Sequence, residues 1–153
     1  MPIGLTHEFT LRAPLKPPVA VGAGPLGARM FFEAADGGTV TGDRISGTVL
    51  TGGGDWLLAG ADGFGRVDVR LQVETADGAF IYVQYLGLLE MNDAVMGAME
   101  SGGGTDYEDQ YFRTALRLET GDERYAWVNQ TLFVGEGHVI EGLGVEYRVH
   151  RVG

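Results

Sequence analysis

Phe64-Gly65-Arg66-Val67-Asp68-Val69-Arg70-Leu71-Gln72-Val73-Glu74-Thr75, then Ala76-Asp77-Gly78, then Ala79-Phe80-Ile81-Tyr82-Val83-Gln84-Tyr85-Leu86-Gly87-Leu88-Leu89 is the stretch whose reading decides the fold. In its first half Val67, Val69, Leu71 and Val73 alternate with charged and polar residues. That is period two, a strand with one apolar and one polar face. Ala76-Asp77-Gly78 lets the chain reverse, because glycine accepts the backbone of a tight hairpin. In the second half Ile81, Val83 and Tyr85 share one face, and Phe80, Tyr82, Gln84 and Leu86 share the other. Both faces are largely apolar, which places this strand centrally in its sheet. A long twisted antiparallel hairpin of this kind is the spine of a sheet or barrel.

The flanking sequence repeats the pattern. Leu5 to Arg12 alternates and is ended by Pro14, Pro17 and Pro18, since proline removes a ladder donor. Val19 to Val21 reads as a short edge strand before a Gly22-Ala23-Gly24-Pro25 turn. That run lacks the lysine and following helix of a phosphate-binding loop. Strands are expected over Arg29–Ala34, Arg44–Leu50, Asp55–Leu58, Tyr111–Glu119, Val128–Val134 and Leu143–Arg151. Gly42 and Gly47 mark bending or close backbone approach, and Gly135-Glu136-Gly137 reads as a turn. Between Met91 and Glu100 the period changes to a short helix, capped by Asn92 or Asp93, with Val95, Met96 and Met99 inward. Asp122 to Trp127 reads as a helical turn.

The chain of 153 residues is sized for one domain with a real core. Its 26 glycines are scattered between apolar runs without periodicity, which suits an all-β protein with many turns and bulges. Together these give an all-β, antiparallel, closed or nearly closed β-barrel of roughly eight to ten strands with one short helix. The net charge of −10 argues against nucleic acid and anionic membrane surfaces. With no cysteine, disulfides, thiolate metal sites and a cysteine nucleophile are excluded. There is no 18-residue apolar run and no signal-peptide pattern, so a soluble cytoplasmic protein is expected.

Several stretches together resemble the domain-of-unknown-function family 3237, a set of small β-barrel proteins. They are Gly42-Asp43-Arg44-Ile45-Ser46-Gly47-Thr48-Val49-Leu50, Gly53-Gly54-Asp55-Trp56 and Thr75-Ala76-Asp77-Gly78-Ala79-Phe80-Ile81-Tyr82-Val83. Tyr111-Phe112-Arg113-Thr114, Glu119-Thr120-Gly121, Tyr125-Ala126-Trp127-Val128-Asn129 and Leu132-Phe133-Val134-Gly135 complete the set. The resemblance spans most of the chain and implies a calycin-like barrel, with no established reaction. Where such proteins have Thr-Thr-Pro-Arg-Phe-Glu-Thr, this chain has Thr114-Ala115-Leu116-Arg117-Leu118-Glu119-Thr120. If those positions line a pocket mouth, its ligand differs from that of its relatives.

Asp55-Trp56 is the leading site candidate, with Asp55 as a base and Trp56 as a flat apolar wall. The structural alternative makes Asp55 a bulge cap and Trp56 core. Tyr82 and Gln84 share a strand face and can point together into a lumen as donors, with Tyr85 beside them. Asp68 and Arg70 lie on the polar face of the first strand. Arg113, Arg117 and Glu119 share a face with Tyr111, an arrangement that suits a ligand carboxylate or a salt-bridged outer wall. Trp127 and Asn129 form a candidate rim, or pack. His7, His138 and His150 are too widely separated for a metal site, and His7 reads as a core or pocket histidine beside Leu5 and Phe9.

Two functions fit. The first is a cofactor-independent isomerase, lyase or cyclase acting by acid–base chemistry on a small hydrophobic oxygenated molecule in the lumen. Asp55 is its base, Tyr82 and Arg113 its donors, and Trp56, Gln84, Tyr85, Tyr111, Glu119, Trp127 and Asn129 its lining. The second is a barrel that binds such a molecule without converting it. A homodimer joined through an exposed sheet face, around a filled barrel, is a third arrangement.

Overall fold

The computed structural model describes residues 1–153. Eleven strands follow in order: β1 (Leu5–Pro14), β2 (Val19–Gly24), β3 (Gly27–Glu33), β4 (Gly38–Gly42), β5 (Gly47–Val49), β6 (Gly54–Ala59), β7 (Phe64–Thr75), β8 (Phe80–Glu90), β9 (Phe112–Glu119), β10 (Phe133–Ile140) and β11 (Gly144–Val152). One helix, α1 (Asp93–Ser101), follows β8, and 3-10 segments lie at Tyr107–Asp109 and Glu123–Gln130. The ring β7-β5-β4-β1-β11-β10-β9-β8 closes on itself because β8 pairs back onto β7, giving an eight-stranded antiparallel barrel. No helix is long and apolar enough to cross a membrane.

The hairpin at Phe64–Glu90 is the seam of this barrel, as the alternation requires. One edge of β7 pairs with β8 over its length, from Phe64↔Glu90 to Glu74↔Phe80. Its other edge is shared: β5 takes Val73–Thr75, and β6 takes the stretch from Gly65 to Arg70. The wall therefore forks at β7. The second branch, β6-β3-β2, is tied back to β1 by a single bridge between Leu15 and Ala34.

The barrel is solid. Val67, Val69, Leu71 and Val73 of β7 point inward and meet Ile81, Val83 and Tyr85 of β8 and Phe112, Leu116 and Leu118 of β9 in one buried cluster. Tyr85 and Phe112 both pack edge-on against Tyr147, with ring centroids 5.2 and 5.1 Å away. Tyr125 and Val128 of the 3-10 segment join the cluster at one end, Val95 and Ala98 of α1 at the other. A void of about 40 Å³ remains beside Phe32, Asp55, Leu57 and Met99. That volume holds a water or two rather than a substrate, so the expected chamber in the lumen is absent.

Several local expectations change. Gly135-Glu136-Gly137 is no turn but the middle of β10, and residues 128–130 are helical. The glycines are there for packing: a Cβ on Gly137 would lie 2.8 Å from the rings of Phe112 and Tyr147. Gly47 serves close approach, because a Cβ there would lie 2.1 Å from the Glu74 carbonyl oxygen. A register shift between His7 and Phe9 turns Glu8 inward and leaves His7 exposed, which overturns the core histidine. Glu8 is then held by the Arg44 guanidinium, whose Nε donates across 3.1 Å. In α1 the Asn92 side chain caps Val95 N–H at 3.0 Å and Gly102 ends the helix with φ 74°, but Met96 faces solvent.

Two glycine substitutions separate packing from flexibility. Gly137→Ala is expected to cost about 1–3 kcal/mol by overpacking, lowering Tm by about 2–4 °C per kcal/mol. Gly97→Ala, in α1 with nothing within 4 Å of the added carbon, is expected to stabilise by about 0.5–1 kcal/mol. Thermal melts of the two variants check both signs.

Candidate functional site

β8 is central in its sheet, between β7 and β9, and its apolar outer face is open. Leu86 and Leu88 stand 60% and 43% exposed. With the β6 branch splaying from the barrel, they form the floor of a groove of about 790 Å³. Cross-strand register builds it in rows. Asp68 sits opposite Leu86, Leu86 opposite Ala115, and Ala115 opposite Val134. The next row runs Leu58, Arg66, Leu88, Arg113 and Glu136. Trp56 and Leu58, projecting from β6, close one side, and the Trp56 ring stacks on Phe31 at 4.7 Å between centroids.

At Trp56 the ladder between β6 and β7 opens. Asp55 pairs with Val69 and Leu58 with Arg66, but Trp56 and Leu57 make no bridge. The Asp68 N–H bonds instead to the Asp55 carboxylate, at 3.0 Å. A side chain thus supplies the rung that the backbone leaves out. The unbroken register on both sides of the gap sets Trp56 across from Asp68. Both side chains line the groove.

Asp55 and Trp56 therefore project to opposite sides. The Asp55 carboxyl faces the core, with Phe32, Leu57, Leu89 and Phe112 around it. Burial raises its pKa to about 7, against the pull of the Asp68 N–H bond. No arginine or lysine pairs with it. Tyr85 and Tyr147 lie behind it in the core, and burial raises both phenols. The expected meeting of Asp55, Tyr82 and Arg113 does not occur. Tyr82 is on the outer wall opposite Gln72 and Glu119, and Arg113 is on the outer wall in the groove. Period two forbids the encounter, since a residue facing the core and one facing out stay on opposite sides of one wall.

The remaining candidates divide between outer wall and packing. Gln84 points outward between Arg70 and Arg117, whereas Tyr85 is core. Glu119 borders a separate depression with Tyr82 and Asn129. The Asn129 amide is tied to the backbone, accepting from Thr120 N–H at 2.8 Å and donating to Thr120 O at 2.9 Å. Trp127 packs under Arg44, whose guanidinium lies 3.7 Å from the ring centroid. Tyr111 is exposed, with the Arg113 guanidinium 5.3 Å from its ring centroid. No three His, Asp or Glu side chains cluster as a metal site would need. Leu116 and Leu118 lie in the core, so of the changed Thr114–Thr120 positions only Ala115 meets the groove.

The residue that sequence reasoning passed over is Asp68. Its alternation marked it as outward, but nothing in the pattern disclosed that an apolar groove lies there. Its carboxylate makes no ion pair and accepts no hydrogen bond from another side chain.

Asp55 yields a prediction in pH. Its folded pKa of about 7 exceeds the unfolded value of about 3.9, so the folded state holds its proton more tightly. That stabilisation is complete below about pH 3.9 and is lost as pH rises towards 7. Asp55→Asn cannot ionise. The Tm difference between Asp55→Asn and wild type should therefore move in favour of the variant from pH 4.5 to 7.5, by an equivalent of at most about 4 kcal/mol. A constant difference across that range would show that Asp55 ionises normally.

Comparisons with known proteins agree with the architecture. The chain is similar to the UPF0311 protein RPA1785 of Rhodopseudomonas palustris, 33% identical over 129 residues, covering 84% of each. It is also similar to a UPF0311 protein of Clostridium acetobutylicum, 29% identical over 126 residues, covering 82% of this chain and 80% of the relative. The crystal structure of RPA1785 superposes with a TM-score of 0.87 at 31% identity, covering 100% of this chain and 99% of that one. A beta-barrel like protein from Acinetobacter baumannii gives 0.84 at 29%, covering 100% and 98%. A structure described as an enzyme from Penicillium herquei gives 0.71 at 20% identity, covering 100% and 96%, and shares the fold. Residues 3–152 match the family model described as "Protein of unknown function (DUF3237)", and the chain belongs to that family.

Proposed function

We propose that the protein binds a small hydrophobic oxygenated molecule in the outer groove and converts it by acid–base chemistry beside a carbonyl. The observation that carries this reading is the convergence of Trp56, Asp68 and Arg113 on one apolar groove of about 790 Å³, within the roughly 300–1,000 Å³ of ordinary small-molecule sites. Asp68 is a carboxylate without a cationic partner, as a base requires. Arg113 lies two strands away and two residues along, a Cα separation of roughly 12 Å by sheet spacing. A carbonyl compound lying over Leu86 spans that separation once the Arg113 guanidinium swings from the Phe112 carbonyl oxygen to which it donates at 3.0 Å. Trp56 supplies the flat wall. Asp55 fixes the Asp68 backbone from behind.

In that arrangement Asp68 takes a proton from the carbon next to the carbonyl. The electron pair moves onto the carbonyl oxygen, and the Arg113 guanidinium holds the resulting oxyanion. Return of the proton to a conjugated carbon gives isomerisation, with no net change in atoms or charge. Transfer of that proton from the Asp68 carboxyl to a β-hydroxyl, which departs as water as the C–O bond breaks, gives elimination. That a neighbour of the same fold is described as an enzyme supports a catalytic use of this barrel. The binding-only reading keeps the same groove and removes the chemistry.

Deuterium exchange separates the two. Incubated in D2O with 1-indanone and 1-tetralone, wild type should speed exchange at the carbon next to the carbonyl over buffer by about 10²-fold or more. Asp68→Asn should bring the rate back to that of buffer while the ketone still binds. Arg113→Gln should cost about 10–10³-fold. Saturable binding of the ketones without accelerated exchange would leave a carrier rather than a catalyst.

A further inference from the structure

Four cations of this acidic chain stand on the outer face of two strands, in the groove and beside it. Of eleven lysines and arginines in a protein of net charge −10, Arg66, Arg70, Arg113 and Arg117 all project from the same outer face of β7 and β9. They form two rows. Arg66, Leu88 and Arg113 run on one side of the apolar row containing Leu86 and Ala115, and Arg70, Gln84 and Arg117 run on the other. Arg66 is neutralised by a two-pronged pair with Asp62, at 2.5 and 2.6 Å. Arg70 and Arg117 make no ion pair and no side-chain hydrogen bond. They face each other across Gln84, with Cα atoms two strand spacings apart, roughly 10 Å. Two free guanidiniums flanking an amide donor make an anion cradle. It stands just outside the groove, one row along from the Leu86 floor, with Arg70 bordering a depression beside Trp56 and Arg117 the one beside Tyr82 and Glu119.

We propose that the ligand of the groove is an amphiphilic carboxylate. Its anionic end is taken by Arg70 and Arg117 with the Gln84 amide, and its apolar body lies over Leu86 and Ala115. This rests on the groove being the binding site and adds the chemical class of what it binds. The rows bearing Arg113 and Arg117 are four residues apart along β9, roughly 13 Å. A carbonyl at Arg113 and a carboxylate at Arg117 are therefore joined by a body about the length of a fused bicyclic ring or a medium aliphatic chain. Asp68 lies between the two rows beside Leu86 and repels a second anionic group placed centrally. The class is a hydrophobic monocarboxylate with its charge at one end.

The test compares 2-naphthoate with its methyl ester on the full chain, by fluorescence of Trp56 in a Trp127→Phe background and by ligand-observed NMR. The acid should bind about tenfold or more tightly than the ester at low salt, and 0.5 M NaCl should erase that preference. Arg70→Gln with Arg117→Gln should weaken the acid about tenfold and leave the ester unchanged. Leu86→Asp should weaken both. Equal affinities of acid and ester, or indifference of the acid to the double substitution, overturn the carboxylate while leaving the groove as a binding site. If neither probe binds, both readings fall. They also fall if sedimentation finds a dimer that Leu86→Asp splits and 2-naphthoate does not, because a second copy then covers the groove.

Discussion

Everything in this molecule hangs on β7, a strand asked to keep three neighbours. One edge is committed to β8 along its length, and the other is divided between β5 and β6. Strict alternation makes this feasible, since every inward residue from Val67 to Val73 is aliphatic and compact. The same alternation places Arg66, Asp68 and Arg70 outside. Where the wall forks, the β6 branch leaves the ring, and the groove is the space between that branch and the outer wall of β7 to β10. The site is a by-product of topology before it is a matter of particular side chains.

Asp55 and Asp68 illustrate how one irregularity divides the labour of two carboxylates. Asp55 is turned into the core to replace the missing rung, and burial without a cation pushes its proton affinity upward. Asp68 is left at the surface of the groove with its backbone pinned and its side chain free. The three glycines before Asp55 are consistent with this, because Gly53 and Gly54 lie so close to neighbouring strands that a Cβ would meet carbonyl oxygens at 2.3 and 2.2 Å.

Much of this was legible in the residues. Alternation from Val67 to Val73 located the spine of the barrel, Asn92 opened the helix, and Gly47 announced a close approach. The misreadings share a cause: period two says that two faces differ or agree, never what covers them. Both faces of β8 are apolar, which describes a buried strand and an uncovered groove floor equally well. Gly135 and Gly137 have the composition of a turn, but Gly135 makes room for the Thr114 hydroxyl and Gly137 for the aromatic rings of Phe112 and Tyr147. Asp55 stands out in the sequence after three glycines. The direction of its side chain depends on a ladder gap that no local pattern encodes.

A strand that holds two partners on one side also behaves as a hinge pin. The β6 branch is fastened to β7 by two short sets of rungs with a break between them, and to the end of β1 by the Leu15–Ala34 bridge and the Lys16–Glu33 pair, with Phe32 and Leu57 plugged into the core. The barrel ring is laced around its whole circumference. Thermal motion should therefore open the branch long before it opens the ring. An occupant wedged under Trp56 would register as slower amide exchange in Gly54–Ala59 while the barrel's own exchange stayed the same.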